Sequence, residues 1–112
     1  MAEGWHGRDH FEARIVRGDA EELVVDLRGE FDLFGAGVLR DVLAGRDGHA
    51  VILDMADVSF IASDGISELL LLARAGTVTV RRPSAFVRRI LDVVGASETL
   101  NVDDAAAEIP SE

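Results

Sequence analysis

Several residue types that commonly build special sites are missing from this sequence. It contains no cysteine and no lysine, and only 5% of its 112 residues are aromatic. Without cysteine, neither a disulfide framework nor a thiolate metal site can form. The longest apolar run, residues 69–73, is far shorter than the roughly 20 residues that span a bilayer, so we expect no direct membrane insertion. The N-terminal segment carries charges throughout and lacks the apolar stretch of a signal peptide, which favours a cytoplasmic location.

The residues that are present have the composition of a folded, acidic protein. Hydrophobic residues make up 48% and charged residues 29% of the chain, as expected for one globular domain. The formal net charge is −10. Because phosphate groups are bound by clusters of cations, this charge argues against nucleic acid or an anionic membrane as the partner. A basic protein partner and simple solubility are both compatible with it.

The order of the predicted elements indicates an α/β fold. Residues 11–17 alternate apolar and polar side chains, and residues 23–28 follow after a turn, which predicts an opening hairpin. Helices and strands then alternate, which gives the order β-β-α-β-α-β-α-β. This order predicts a mostly parallel sheet with helices packed on it, since a crossover helix joins parallel strands. We predict a single domain over residues 11–102, between a flexible N-terminus, 1–10, and an acidic C-terminal tail, 103–112.

Three features of the predicted helices and strands bear on function. Asp32 precedes the first helix and is a suitable N-cap. Four consecutive apolar residues, 50–53, favour a strand that is covered on both faces, as in parallel sheets. The second helix is predicted to begin at Ser63 and to run to about Ala75. On its helical wheel Leu71 points away from the apolar face, so we expect this side chain to be exposed.

The sequence provides no complete catalytic constellation. Asp54, Asp57 and Asp64 are carboxylates near a strand end, yet no base, nucleophile or metal-ligand set accompanies them. His6 and His10 have the i, i+4 spacing of a metal pair, but no helix is predicted there and no acid completes a site. We therefore expect a protein that is not an enzyme and that binds no cofactor or metal. A small α/β enzyme using the three aspartates is the least favoured alternative.

Three blocks of the sequence resemble the STAS domain, and specifically the anti-sigma-factor antagonists. Residues 28–32 resemble the Gly-Glu-Leu-Asp turn before the first helix of that family. Residues 51–55, followed by 58–61, resemble its central strand and approach loop. Residues 83–91 with Gly95 resemble its last long helix. The resemblance covers nearly the whole chain and implies the STAS fold.

The resemblance also identifies the segment at which members of the family are regulated. In the family this segment reads Asp-Ser-Ser-Gly, and a kinase that is also the anti-sigma factor phosphorylates the second serine. Here Ala62 replaces the aspartate, Ser63 matches the first serine, Asp64 occupies the acceptor position and Gly65 matches the glycine. A carboxylate cannot accept phosphate from a serine kinase, and its single charge is smaller than that of phosphoserine.

This substitution leaves several interpretations open. The resemblance implies either a protein that permanently resembles the phosphorylated state or a constitutive binder adapted to Asp64. Asp64 could instead only cap its helix. Ser63 is a candidate for an alternative phosphate acceptor.

The resemblance implies a docking surface and a class of partner. The partner would be an anti-sigma factor and serine kinase of the GHKL type, and self-association into a homodimer is also open. The implied surface combines the turn before the first helix, the approach loop and the start of the second helix, to which Leu71 is added because of its predicted exposure. Its residues are Asp32, Phe34, Gly35, Ser59, Phe60, Ala62, Ser63, Asp64, Gly65, Ser67, Glu68 and Leu71. An accessory STAS subunit docked on the ATPase of a membrane transporter is the alternative, since that role requires no phosphorylation.

Overall fold

Six strands lie in one sheet in the same order as along the chain, in a computed structural model that describes residues 4–46 and 48–103. The elements are β1 His6–Arg8, β2 Phe11–Gly18, β3 Glu22–Phe31, α1 Leu33–Leu43, β4 Ala50–Ile61, α2 Ser63–Ala75, β5 Val78–Arg81, α3 Ala85–Val93, a short 3-10 helix Ala96–Glu98, and β6 Asn101–Asp103. The first three strands pair antiparallel, whereas β3, β4, β5 and β6 pair parallel. The structure thus confirms the α/β fold and the mostly parallel sheet.

The three helices lie on one face of the sheet. Each crossover joins neighbouring parallel strands and moves the chain in the same direction across the sheet, and such crossovers are right-handed. Alternate strand residues, such as Phe11, Ala13 and Ile15 in β2, are buried beneath this helical layer. Together with Leu69 of α2 and Leu91 of α3, they belong to a single hydrophobic core. The predicted packing of helices on the sheet is therefore confirmed.

The N-terminal segment contains a strand that the sequence pattern does not predict. β1 pairs antiparallel with β2, although residues 1–10 are predicted to be flexible. All three residues of β1 are exposed, so no alternation of apolar and polar residues marks this strand. Trp5 holds the segment against the sheet, because the guanidinium carbons of Arg14 and Arg28 lie 4.3 and 3.8 Å from its ring centroid.

Two further boundaries differ from the sequence prediction. β4 continues to Ile61 and so includes residues 58–61, which the family resemblance assigns to an approach loop. Most of residues 56–60 are exposed and the register with β3 shifts here, so the strand has no regular alternation. Asp103, where the acidic tail is predicted to begin, is the last residue of β6, and residues 104–112 lie outside the described residues.

The face of the sheet opposite the helices carries a row of charged residues. Cross-strand register aligns Arg14, Asp26, Asp54, Arg81 and Asp103, one from each strand from β2 to β6. Among the described residues, no helix packs on this face of β4. Charged side chains that pair across neighbouring strands cover this face instead.

Asp54 is the buried member of this row. Its side chain is 4% exposed and accepts hydrogen bonds from Arg81 Nη2 and Arg82 Nε, each at 3.1 Å. Burial alone would raise the pKa of the Asp54 carboxyl. Hydrogen bonds from Arg82, from the Ala56 N–H and from Arg81 outweigh burial and hold this pKa below its ordinary value. Asp54 is therefore an ionised link between β4 and β5.

Phe31 joins the end of β3 to the start of α2. Its ring is fully buried and stacks on Phe11 with 5.2 Å between the ring centroids. Its carbonyl oxygen accepts a hydrogen bond from the Ala62 N–H at 3.0 Å. A Cβ atom added to Gly65 would lie 2.4 Å from the same oxygen. Position 65 therefore has room for glycine alone unless the backbone shifts.

We expect Asp54→Asn to lower the free energy of unfolding near neutral pH by roughly 2–3 kcal/mol, because two arginines lose a buried, charged acceptor. The pKa of Asp54 is lowered in the native protein, so its stabilisation is present above about pH 4 and is lost as the pH falls through the native pKa. Urea unfolding over this pH range measures both effects, and the wild type should lose more stability in acid than the variant.

The matched control for this measurement is Asp26→Asn. Asp26 belongs to the same row, but its carboxylate is 3.6 Å from Arg14 and about a third exposed, so its loss should cost less than about 1 kcal/mol. Equal acid sensitivity of the wild type and Asp54→Asn would contradict the assigned role of Asp54.

We expect Gly65→Ala to lower the free energy of unfolding by about 2–3 kcal/mol, because the new Cβ atom would collide with the Phe31 carbonyl. Gly37 in α1 is the matched control, since a Cβ atom there would meet nothing within 4 Å. Gly37→Ala should stabilise the protein by about 0.5–1 kcal/mol through the higher helix propensity of alanine. Thermal or urea unfolding that ranks the two variants in the opposite order would refute the tight contact at Gly65.

Candidate functional site

Two helices begin side by side at the carboxyl edge of the parallel strands. β3 ends at Phe31 and β4 at Ile61, and these two residues are register partners. Asp32 is the N-cap of α1 and Ala62 is the N-cap of α2. The hydrogen bond from the Ala62 N–H to the Phe31 carbonyl fixes the two helix starts relative to each other. Free N–H groups at such helix ends form a positively polarised surface.

The structure brings most of the sequence-predicted docking residues to this edge, with unequal exposure. Those that are exposed are Ser59, Phe60, Ser63, Asp64, Ser67 and Leu71, and those that are half-buried are Asp32, Phe34 and Ala62. Gly35, Gly65 and Glu68 are buried. The buried residues shape this edge of the protein but offer no side-chain surface to a partner.

Asp64 lies in the first turn of α2 with an exposed side chain. Ala62 holds the N-cap position, and no side chain forms a cap hydrogen bond at this helix start. The Asp64 carboxylate forms no hydrogen bond or ion pair with any residue that the structure describes. Asp64 therefore does not cap the helix through a hydrogen bond, although its charge is favourable near the positive end of the helix.

Three serine hydroxyls surround this position. Ser63, the first residue of α2, and Ser67, one turn later, are both exposed. Ser59, at the end of β4, donates a long hydrogen bond of 3.4 Å to the Gly29 carbonyl oxygen. Ser63 is the serine next to position 64, and its side chain is open to solvent.

Asp32 is occupied by contacts within the fold. Its carboxylate accepts a hydrogen bond from the Gly35 N–H at 3.1 Å, which confirms the predicted N-cap. The same carboxylate lies 2.8 Å from His10 Nε2. Burial would raise the pKa of Asp32, but the hydrogen bonds from Gly35 and His10 outweigh it and lower the pKa. Sequence reasoning missed His10, because it lies 22 positions from Asp32.

Glu68 lies on the buried face of α2 and links this helix to α1. Its side chain is 6% exposed and accepts a hydrogen bond of 2.7 Å from Arg40 Nη2 on α1. The guanidinium of Arg40 is 63% exposed, so this ion pair has one buried and one solvated member. The family resemblance predicts Glu68 on the docking surface, whereas its carboxylate holds α1 to α2.

The three aspartates of the enzymatic alternative have different environments. Asp54 is bound by two arginines on the face of the sheet opposite the helices, whereas Asp64 lies at the start of a helix. Asp57 is exposed and acts electrostatically on Arg82. No group of three or more potential metal ligands occurs among the described residues. These positions do not form one catalytic constellation.

Two aromatic rings stack at the surface beside the candidate site. Phe60 of β4 and Phe86 of α3 are 43% and 48% exposed, and their centroids are 5.9 Å apart with 23° between the ring planes. Ser84 caps α3 and also donates a hydrogen bond of 3.3 Å to the Val58 carbonyl oxygen, which ties α3 to β4. Sequence reasoning included Phe60 among the docking residues but not Phe86.

Leu71 borders a shallow groove on α2. Its side chain is 55% exposed, which confirms the exposure predicted from the helical wheel. The groove has a volume of about 520 Å³ and is lined by Ser67, Leu70, Leu71, Arg74 and Thr99. The groove is open at the surface, and none of these five residues has an unpaired buried polar side-chain atom.

The fold matches solved structures of STAS proteins. The anti-sigma factor antagonist SpoIIAA in its unphosphorylated form superposes with a TM-score of 0.66 at 20% identity, over 88% of this chain and 99% of that chain. A candidate anti-sigma factor antagonist from Thermotoga maritima superposes with a TM-score of 0.66 at 19% identity, over 88% and 89% of the two chains. At these identities the likeness concerns the fold.

Sequence comparison identifies the family. No curated protein matches the chain. Within the described residues, no helix combines the length and the apolar character that crossing a bilayer requires. A family model described as "Mlab, STAS domain" matches residues 15–102, which run from the middle of β2 into β6 and include all three helices. The chain therefore belongs to the STAS-domain family.

Proposed function

We propose that this STAS domain is a non-catalytic regulator of the anti-sigma-factor antagonist type, which binds a protein partner and lacks the phosphate switch. The observation that carries the proposal is Asp64, which is exposed and unpaired among the described residues at the start of α2. The partner is an anti-sigma factor and serine kinase of the GHKL type, and both proteins act in the cytoplasm. This assignment extends to the chain the antagonist role of SpoIIAA, whose fold it shares.

The geometry of the carboxyl edge supports protein docking. Asp32 and Ala62 start two helices that are joined through the Phe31 carbonyl, so the exposed residues between them have a fixed arrangement. A preorganised surface loses little conformational entropy when a partner binds. The acidic surface, with a formal net charge of −10, favours a basic partner surface.

The chemistry at position 64 removes the reversible switch. A serine kinase transfers phosphate to a hydroxyl oxygen, and the Asp64 carboxylate offers no hydroxyl. Incubation with ATP therefore leaves the affinity of this protein for its partner unchanged. The fixed negative charge either weakens binding, as phosphoserine would, or meets an adapted cation on the partner. The two cases differ in whether Asp64→Asn strengthens or weakens binding.

The absence of a hydroxyl at position 64 also favours a second candidate function. An accessory STAS subunit docked on the ATPase of a membrane transporter requires no phosphate acceptor. That role would use the same edge of the sheet without a kinase. Co-purification from the native host separates the two roles, because it yields a GHKL-type kinase in the first case and a transporter ATPase in the second.

We expect Asp64→Ser to become a phosphate acceptor for the partner kinase in the presence of ATP, whereas the wild type takes up none. The new hydroxyl lies in the exposed first turn of α2, where a kinase can reach it. Phosphorylation should then weaken binding to the kinase by roughly tenfold or more, since it adds nearly two negative charges. Mass spectrometry locates the phosphate, and calorimetry measures the affinity.

The double variant Ser63→Ala, Asp64→Ser is the control that assigns the phosphate to position 64. It should be labelled to the same extent as Asp64→Ser. Phosphate on Ser63 of the wild type would overturn the proposal that the switch is absent. So would an Asp64→Ser protein that binds the kinase and is not labelled.

A further inference from the structure

His49 lies at the amino edge of the parallel strands, at the opposite end of the sheet from the candidate site. It directly precedes β4, which begins at Ala50. Its half-buried ring has a backbone carbonyl oxygen at each nitrogen. The Asp19 carbonyl oxygen is 3.1 Å from Nε2, and the Arg46 carbonyl oxygen is 3.0 Å from Nδ1. The ring therefore joins the turn between β2 and β3 to the loop that follows α1.

These two contacts require two N–H donors on one ring. A neutral imidazole has one N–H group and one nitrogen lone pair, whereas the imidazolium ion has two N–H groups. A carbonyl oxygen can only accept a hydrogen bond. Both hydrogen bonds of His49 therefore form together only when the ring carries two protons and a positive charge. In a neutral ring, one nitrogen would turn its lone pair towards a carbonyl oxygen, and that contact would be repulsive.

The ends of two helices favour the charged form of His49. The ring borders a small cavity of about 60 Å³, which is also lined by Leu43 and Ala75, the last residues of α1 and α2. The carboxyl end of a helix carries a partial negative charge, which stabilises a nearby cation. The lining residues from α2, β5 and the segment between them bring no competing charge, since they are Leu72, Ala75, Gly76, Thr77 and Val78.

The Asp19 carboxylate adds a negative charge on the side of the turn. One of its oxygens accepts hydrogen bonds from the Glu21 and Glu22 N–H groups at 2.8 and 2.9 Å. These bonds hold the pKa of Asp19 below its ordinary value, and the charge of His49 lowers it further. Asp19 is therefore ionised throughout the range, about pH 5 to 8, in which histidines change charge.

Two arginines are the cations near this junction among the described residues. Arg17, at the end of β2, acts electrostatically on the Asp19 carboxylate. Arg46 donates a hydrogen bond of 3.2 Å from Nη1 to the Val42 carbonyl oxygen of α1. Each arginine thus has an acceptor or an anion of its own, whereas the ring of His49 faces two carbonyl oxygens.

We propose that His49 is a pH-sensitive clamp, which in its protonated form ties the turn between β2 and β3 to the loop after α1. When the ring loses a proton, it must release one of the two carbonyl oxygens. The bound proton favours the folded state, so the stabilisation is present at low pH and is lost as the pH rises. The sign is opposite to that of Asp54, whose stabilisation is lost in acid. The clamp is independent of the proposed function, because its residues lie outside the candidate site.

Heteronuclear NMR of the wild-type protein tests the protonation of His49 directly. At about pH 5.5 both ring nitrogens should carry protons that exchange slowly with water, because each is held in a hydrogen bond. Near pH 8 one of these protons should be lost, and the carbonyl carbon resonances of Asp19 and Arg46 should shift. His49→Gln should abolish both shifts. A singly protonated ring at about pH 5.5, or ring protons that exchange as fast as those of free histidine, would overturn the proposal.

Urea unfolding at about pH 5.5 and about pH 8 measures the effect of the clamp on stability. Over this interval the wild-type midpoint should fall by about 0.5–1 M more than that of His49→Gln, because only the wild type loses a charge-assisted hydrogen bond. His10→Gln is the matched control, since His10 also contacts an acceptor, the Asp32 carboxylate, at 2.8 Å. This control should keep the part of the fall that His49→Gln removes. Equal pH dependence of the wild type and His49→Gln would refute the clamp.

Discussion

The contact between Phe31 and the start of α2 is the constraint on which the rest of the site depends. The buried ring of Phe31 stacks on Phe11 in the core, and its carbonyl oxygen accepts the Ala62 N–H. Gly65 lies so close to the same oxygen that a Cβ atom at this position would be only 2.4 Å from it. One residue thus connects the core, the end of β3 and the start of α2. The direction of α2, and with it the place of Asp64 at the surface, follows from this contact.

The acidic residues of this protein have two different roles, which depend on burial. Asp32, Asp54 and Glu68 accept hydrogen bonds from a backbone N–H or from arginine side chains and hold elements of the fold together. A carboxylate removed from water requires such partners, because the cost of desolvation is otherwise large. Glu30 and Asp64 are exposed, and their charges are available to a binding partner. The net charge alone does not distinguish these roles.

The contacts that shape the candidate site do not involve the side chain at position 64. The shape of the carboxyl edge depends on Phe31, Ala62 and Gly65, whereas the side chain at position 64 points away from these contacts into solvent. A serine or an aspartate therefore fits at position 64 without changing the surface around it. Under the proposed function, a STAS domain can in this way lose a phosphate acceptor and keep its docking surface.

Local patterns in the sequence were enough to predict the order of the elements from β2 to β6, the Asp32 cap and the exposure of Leu71, because periodicity and capping are local properties. They did not predict β1, whose residues are all exposed and carry no pattern. The partners of Asp54 and Glu68 lie 27 and 28 positions away, and only strand register and helix packing bring them together. The exposure of Phe86 is likewise a tertiary property, because the sequence of α3 does not show how much of the helix surface the rest of the fold covers.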